Sequence, residues 1–198
     1  MKQWNQLPDP EIINETISNL KNNGINAILV SSQNELKVKI SELIPEKSEV
    51  MTMSSQTLEI TGLAKEINDS GKYVSVRSLL TAKSDDASFK ANLPEFAVGS
   101  VQAVTQDGRV VMASATGSQL PAYVYGAKHV IWVVSTQKIV SNLDQATKRI
   151  EEYVFPLEDA RAMAAYGMHS GINKILIINK EINKDRLHLL FINEKIGF

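Results

Sequence analysis

The chain has 198 residues, 43% of them apolar, with 21 basic and 22 acidic side chains and a formal net charge of −1. That is enough apolar material for a substantial core, and the interspersed charge argues against a nucleic-acid binder, which concentrates positive charge. The chain contains no cysteine, which excludes disulfides, thiolate catalysis, cysteine-ligated zinc and an intrinsic iron–sulfur cluster. No cofactor of the chain's own is expected.

The opening MKQWNQLPDPEIINET lacks the apolar core of a signal peptide, and no apolar run approaches a bilayer span. A cytoplasmic, non-membrane protein is expected. Asp9-Pro10 starts a helix, with Ile13, Ile17 and Leu20 on one face and Gly24 closing it. Ile25 to Val30 reads as a strand. Leu36, Ile40 and Leu43 mark a second helix, which Pro45 stops. Val50 to Ser54 is the next strand, followed by a helix with Ile60, Leu63, Ala64 and Ile67 as its buried stripe, and Tyr73 to Val76 is a third strand. Helix–strand alternation with near-continuous apolar strands implies a parallel sheet covered on both faces.

Arg77 to Glu95 breaks this rhythm. It is polar, contains Asp85-Asp86, and reads either as a surface connection with a short helix or as a flap over a pocket. From Ala97 the apolar alternation places Val101, Ala103 and Thr105 on one strand face, with Asp107-Gly108 reversing the chain into a strand from Arg109 to Ser114. A helical segment from Pro121 to Gly126 and a strand from His129 follow, with Trp132 in the core. Leu143, Ala146, Ile150 and Tyr153 share a helix face, and Pro156 interrupts that helix and starts another. Asn173 to Asn179 and Leu187 to Asn193 are read as a closing hairpin.

Two loops leave strands in the manner of a shared ligand site: Ser54-Ser55-Gln56-Thr57 and Thr116-Gly117-Ser118-Gln119. In open α/β sheets ligands lie beyond the carboxyl ends of the strands. Hydroxyls and free backbone N–H groups there suit the oxygens of a phosphate or carboxylate. Ser54, Ser55, Thr57, Thr116, Gly117, Ser118 and Gln119 are therefore candidate ligand contacts, although Ser54 and Ser55 serve equally well as helix caps. Gly99-Ser100 either permits a bend or lets a ligand approach the backbone. Lys174 either places an ammonium at the pocket rim or is solvated at a strand start. His129, His169 and His188 have no metal-ligand spacing, so no metal site and no catalytic residue is assigned. Neither GxGxxG nor GxxxxGK[ST] occurs.

The blocks FAVGSVQAVTQDGRVVMASATGSQL, GAKHVIWVVSTQKIV, RIEEYVFPLEDARA, YGMHSGINKILIINKE and FINEKIGF resemble the LUD-domain family, the lactate-utilisation protein C-like group. The similarity spans roughly Pro94 to Phe198, with weaker support from MTMSSQTLEITGL. It implies the fold shared by ribose-phosphate isomerase, glucosamine-phosphate deaminase and the coenzyme A transferases: a three-layer α/β/α arrangement with a mainly parallel sheet and an antiparallel hairpin. It further implies one domain over residues 1–198, with helix–strand units over 1–76, a polar connection over 77–95 and the motif-rich region over 96–198. Members of the wider group hold phosphate or carboxylate ligands in strand-end loops. The family implies a link to L-lactate oxidation in bacteria beside iron–sulfur subunits. Longer members carry an AETGT-like turn where this chain has Val104-Thr105-Gln106-Asp107-Gly108-Arg109, so no role is carried over to that turn.

Three readings of function are open at this point. The first is a protein that binds a small anionic metabolite, with an iron–sulfur partner subunit performing electron transfer. The second is an independent enzyme of the sugar-phosphate isomerase or acyl-coenzyme A type, for which Lys174 and Glu194 are candidate base or nucleophile by position. The third is a regulatory or assembly module whose central hairpin supplies an interaction surface, including one between two copies of the chain.

Overall fold

A computed structural model describes residues 4–82 and 87–198. Asp85-Asp86, and with them part of the segment read as a flap, lie outside the described residues. Helix α1 (Pro10–Asn22) starts at Pro10 and buries Ile13, Thr16 and Leu20, with Ile17 partly buried. Strand β1 (Asn26–Val30), helix α2 (Gln33–Leu43) and strand β2 (Glu49–Thr52) follow. The next expected helix is two: α3 (Gln56–Ile60) and α4 (Leu63–Asp69). Gly62 adopts φ 72° between them, which ends one helix and re-aims the next. Ile60 consequently faces solvent, while Leu63, Ala64 and Ile67 are buried. Strand β3 (Val74–Ser75) runs directly into α5 (Val76–Thr81), and α6 (Ala87–Asn92) leads to β4 (Phe96–Gly99).

The hairpin at Asp107-Gly108 forms as read, joining β5 (Ala103–Thr105) to β6 (Val110–Ser114), with Gly108 at φ 84°. Val101 does not share a face with Ala103. The chain bends before β5, so Val101 packs with Val104 and Ala103 points into a different cluster. A π-helical turn (Ala122–Gly126) precedes β7 (His129–Ser135), and a single 3-10 turn (Thr136–Lys138) leads to β8 (Ile139–Val140). Helix α7 (Leu143–Arg149) passes through a π-helical turn (Ile150–Val154) into α8 (Phe155–Tyr166). Pro156 therefore widens the helix locally rather than breaking the chain, because its missing N–H falls where the backbone ladder is already shifted. The last strands are β9 (Lys174–Ile178) and β10 (Leu187–Ile192).

Six strands form an all-parallel sheet in the order β1-β10-β7-β4-β2-β3, and four form a mixed sheet in the order β8-β5-β6-β9. The expected closing hairpin does not exist. β9 pairs antiparallel with β6, whereas β10 enters the parallel sheet between β1 and β7. Burial explains the separation: all of β10 except His188 is buried, while Ile175 and Ile177 of β9 stay exposed. A strand apolar on both faces belongs inside a doubly covered sheet.

Alternate residues of the parallel strands enter different cores. Val130, Trp132 and Val134 pack toward α1 and the mixed sheet, and Ile131 and Val133 toward α2, α3 and α4. On its far side the mixed sheet meets α7 and the following π turn through Ala103, Val111, Ala146 and Ile150. The mixed sheet thus adds a layer to the expected architecture, between the parallel sheet and α7/α8. Among the described residues no helix is long and apolar enough to cross a membrane.

Candidate functional site

The seam between the two sheets opens at the carboxyl ends of β2 and β4 into a cavity of about 810 Å³. Such volumes accommodate drug-sized ligands. The two loops singled out from the sequence meet here: Ser54, Ser55 and Thr57 after β2, and Thr116, Ser118 and Gln119 after β6, all line the cavity, as does Ser100 after β4. The other wall comes from α8 and the segment after it, including Arg161, Tyr166 and His169.

Several of these groups are already engaged. The Ser55 hydroxyl accepts from the Leu58 amide at 3.4 Å as the cap of α3. In the second loop the Gly117 amide donates to Ser114 Oγ at 2.9 Å and the Ser118 amide to Thr116 Oγ1 at 3.3 Å. Those two amides are satisfied by the loop itself, so the expectation that they stand free for an anion is corrected. Ser54 and Ser118 are exposed on the cavity wall.

Four candidate residues stand outside the lining: Gly99, Gly117, Lys174 and Glu194. A Cβ on Gly99 would lie 1.8 Å from the Tyr123 hydroxyl, so the close approach Gly99 allows is by a core tyrosine, not by a ligand. Gly117, at φ 86°, turns the loop, and the Lys174 stem crosses it, with Cδ 2.7 Å from where a Cβ would stand. The exposed Lys174 ammonium reaches the Ala115 carbonyl at 3.4 Å. Glu194 is bonded to the Gln33 side-chain amide at 2.7 Å, also away from the cavity wall.

A buried lysine, Lys138, does line the cavity. It is 2% exposed and donates to Ser100 Oγ at 3.0 Å, the Val101 carbonyl at 3.0 Å and Thr57 Oγ1 at 3.2 Å. Among the described residues no carboxylate bonds to it. Burial holds its pKa well below the ordinary lysine value, and the charge of Arg149 lowers it further. Arg149, fully buried, donates to the Gln102 carbonyl and lies 5.2 Å over the Tyr153 ring; its Nε and second terminal nitrogen have no hydrogen-bond partner among the described residues. Burial pushes it down to about 10 against the opposing effect of Tyr153, so it stays charged at neutral pH. Its acceptor residue Gln102 and its neighbour Ile150 form part of the cavity wall. Arg77 adds a third cation, its Nε donating to the Thr52 carbonyl at 3.1 Å, and burial lowers its pKa.

At the opposite wall charge is balanced. Arg161 is held by Glu158 through bonds of 2.8 and 2.6 Å, and His169 Nδ1 sits 2.9 Å from Asp159. His169 holds the Asp159 carboxyl below its ordinary pKa, helped by the Ser170 amide.

Lys138 and Arg149 escape the sequence reading, yet each left a signal. Lys138 follows an unbroken apolar strand through Ser135-Thr136-Gln137, all buried. Arg149 lies on the apolar stripe of α7, three residues after Ala146 and four before Tyr153. A family model describing the LUD domain matches residues 13–192. Among solved structures, the chain is similar to a DUF162 family protein from Deinococcus radiodurans. The TM-score is 0.59 at 10% identity, over 94% of this chain and 99% of that one, a likeness that speaks for the fold. No curated protein matches the chain. With nearly its whole length matched by that family model, the chain belongs to the LUD-domain family.

Proposed function

We propose that the cavity binds a small anionic metabolite, a carboxylate or a phosphate, and that the protein serves as a subunit or accessory protein in lactate utilisation. One observation carries the binding reading: Lys138 lines the cavity, Arg149 lies behind its Gln102 and Ile150 wall and stays charged, and among the described residues no carboxylate bonds to either. Burying an uncompensated charge costs several kcal/mol, and an anion entering the cavity offsets that cost. Ser54, Ser100 and Ser118 supply hydroxyls that orient the oxygens of the guest. The link to lactate rests on family membership. Electron transfer falls to an iron–sulfur partner, since this chain has no cysteine to ligate a cluster.

The test is a thermal-shift screen of the purified protein against lactate, pyruvate, inorganic phosphate, sugar phosphates and coenzyme A esters. A ligand at a hundred times its Kd stabilises the fold by about 2.7 kcal/mol, a rise of several degrees. At least one anion should raise the melting temperature in wild type and not in Lys138→Met. A flat screen across all of them refutes the reading.

A further inference from the structure

We propose that Ser100 and Lys138 form a nucleophile–base pair, and that the cavity carries out acyl transfer to water from an ester or thioester through a Ser100 acyl-enzyme. The pair shares the cavity with the anion-binding reading, but its chemistry does not require that reading to hold.

The geometry begins at Lys138 Nζ, which has three polar neighbours: the Val101 carbonyl, Thr57 Oγ1 and Ser100 Oγ, all within 3.2 Å. With Cε as the fourth substituent, the nitrogen has no valence left for a ligand. Lys138 therefore acts through its neighbours until Ser100 is acylated, which frees the position on the nitrogen that faced the Ser100 hydroxyl. Both hydroxyls line the cavity, but Thr57 is 1% exposed whereas Ser100 is half-buried. Ser100 is the member of the set that can meet a substrate.

The same environment satisfies the amine as well as the ammonium. As an ammonium, Lys138 donates to all three neighbours. As an amine it donates to the Val101 carbonyl, which can only accept, and to Thr57 Oγ1; its lone pair then accepts from the Ser100 hydroxyl. Removing the proton breaks no hydrogen bond and only reverses the one to Ser100. Two further features favour the amine: among the described residues no carboxylate bonds to it, and the charge of Arg149 repels a proton. A lysine in this condition takes a proton from a hydroxyl at 3.0 Å, which is the requirement for a serine nucleophile.

Ser100 Oγ attacks the acyl carbon, and its proton passes to Lys138 Nζ. The tetrahedral intermediate collapses, the bond to the alcohol or thiol breaks, and the Lys138 proton goes to that leaving group. Water then attacks the Ser100 ester, giving a proton to Lys138, which returns it to Ser100 Oγ as the carboxylic acid departs. No oxidant or reductant is involved.

The test is labelling of the purified full chain with a fluorophosphonate between pH 6 and 10, with the site located by peptide mass spectrometry. Wild type should carry the adduct on Ser100, at a rate that rises with pH to a plateau as Lys138 loses its proton. Ser100→Ala should carry none at that peptide. Lys138→Met, which still presents Ser100, should label about 100-fold more slowly or worse, the usual loss when a general base is removed. Should that variant fail to fold, the wild-type pH profile with the Ser100→Ala control decides. Absence of an adduct on Ser100 at every pH, a pH-independent rate, or wild-type labelling of a folded Lys138→Met overturns the proposal. Anion binding without Ser100 labelling overturns the pair alone, and Ser100 labelling in a protein that binds no anion overturns the binding reading alone.

Discussion

Replacing Lys138 by Met tests the electrostatics of the cavity without any ligand. The substitution keeps an unbranched side chain of similar length and removes the ammonium. It forfeits the bond to the Val101 carbonyl, and an orphaned buried acceptor costs about 1–3 kcal/mol. The two hydroxyls can rotate to other partners. Against that loss, the variant no longer buries a charge, whose effective penalty is several kcal/mol. The pH dependence separates the two effects. Because the folded pKa of Lys138 lies below the ordinary 10.5, the unfolded chain binds more protons than the native one between those two values. Wild-type stability must therefore rise with pH across that window. The penalty is full below the folded pKa and is gone above 10.5. The rise is about 1.4 kcal/mol per pH unit within the window. Urea unfolding of both proteins between pH 6 and 10 isolates this group, because other titrations cancel in the difference. Lys138→Met should match or exceed wild type at the acidic end and fall behind as pH increases. A difference that stays constant, or that moves in favour of wild type on acidification, refutes a buried lysine with a lowered pKa.

Three further outcomes follow from the packing. Gly99→Ala forces a methyl group against the Tyr123 hydroxyl and should destabilise by about 1–3 kcal/mol; adding Tyr123→Phe removes the clashing oxygen and should recover most of that loss in denaturant unfolding. Glu181→Ala removes the partner of Arg186, which is 9% exposed and also donates to the carbonyls of Ala122, Tyr123 and Ala127. The unpaired guanidinium should cost about 3–5 kcal/mol. Burial works against the Glu181 carboxylate, but the Asn183 amide and Arg186 outweigh it and lower its pKa below 4.5; its contribution is therefore present above 4.5 and is lost as pH falls through the folded value, which acid unfolding of wild type and Glu181→Gln will compare. Ser55→Ala removes the cap of α3 and should lower stability by about 1 kcal/mol, measured by the same unfolding assay.

The parallel sheet was legible because β7 and the apolar parts of β10 bury both faces, and only a doubly covered sheet accommodates such runs. The partner of β10 was not legible. Nearness in sequence favoured a hairpin with β9, but the half-exposed Ile175 and Ile177 and the buried Leu189 and Phe191 belong in different layers. Strand exits located the candidate site, since serines and glycines after strands mark loops that converge at one end of a sheet. What those loops do with their polar groups was hidden: Ser55 caps a helix, and Ser114 and Thr116 satisfy the neighbouring amides. Lysine and arginine patterns ordinarily read as solvated surface. That expectation concealed Lys138, which meets Thr57, Ser100 and Val101 from distant parts of the chain, and Arg149, which α7 carries onto the Gln102 carbonyl. Gly99 could be read as a bend or a ligand approach, and only the arrival of Tyr123 from the π-helical turn shows which atoms need the space.

In the proposed function, Lys138 in the cavity wall, with Arg149 buried behind it, draws an anion into the cavity. A crystal structure of the protein soaked with whichever anion raises the melting temperature tests this most directly. The anion should lie in the cavity with an oxygen in hydrogen-bond range of Ser100 Oγ, on the side of Lys138. An anion held instead at the exposed Lys174 beside Gly117, with the cavity occupied only by water, contradicts it.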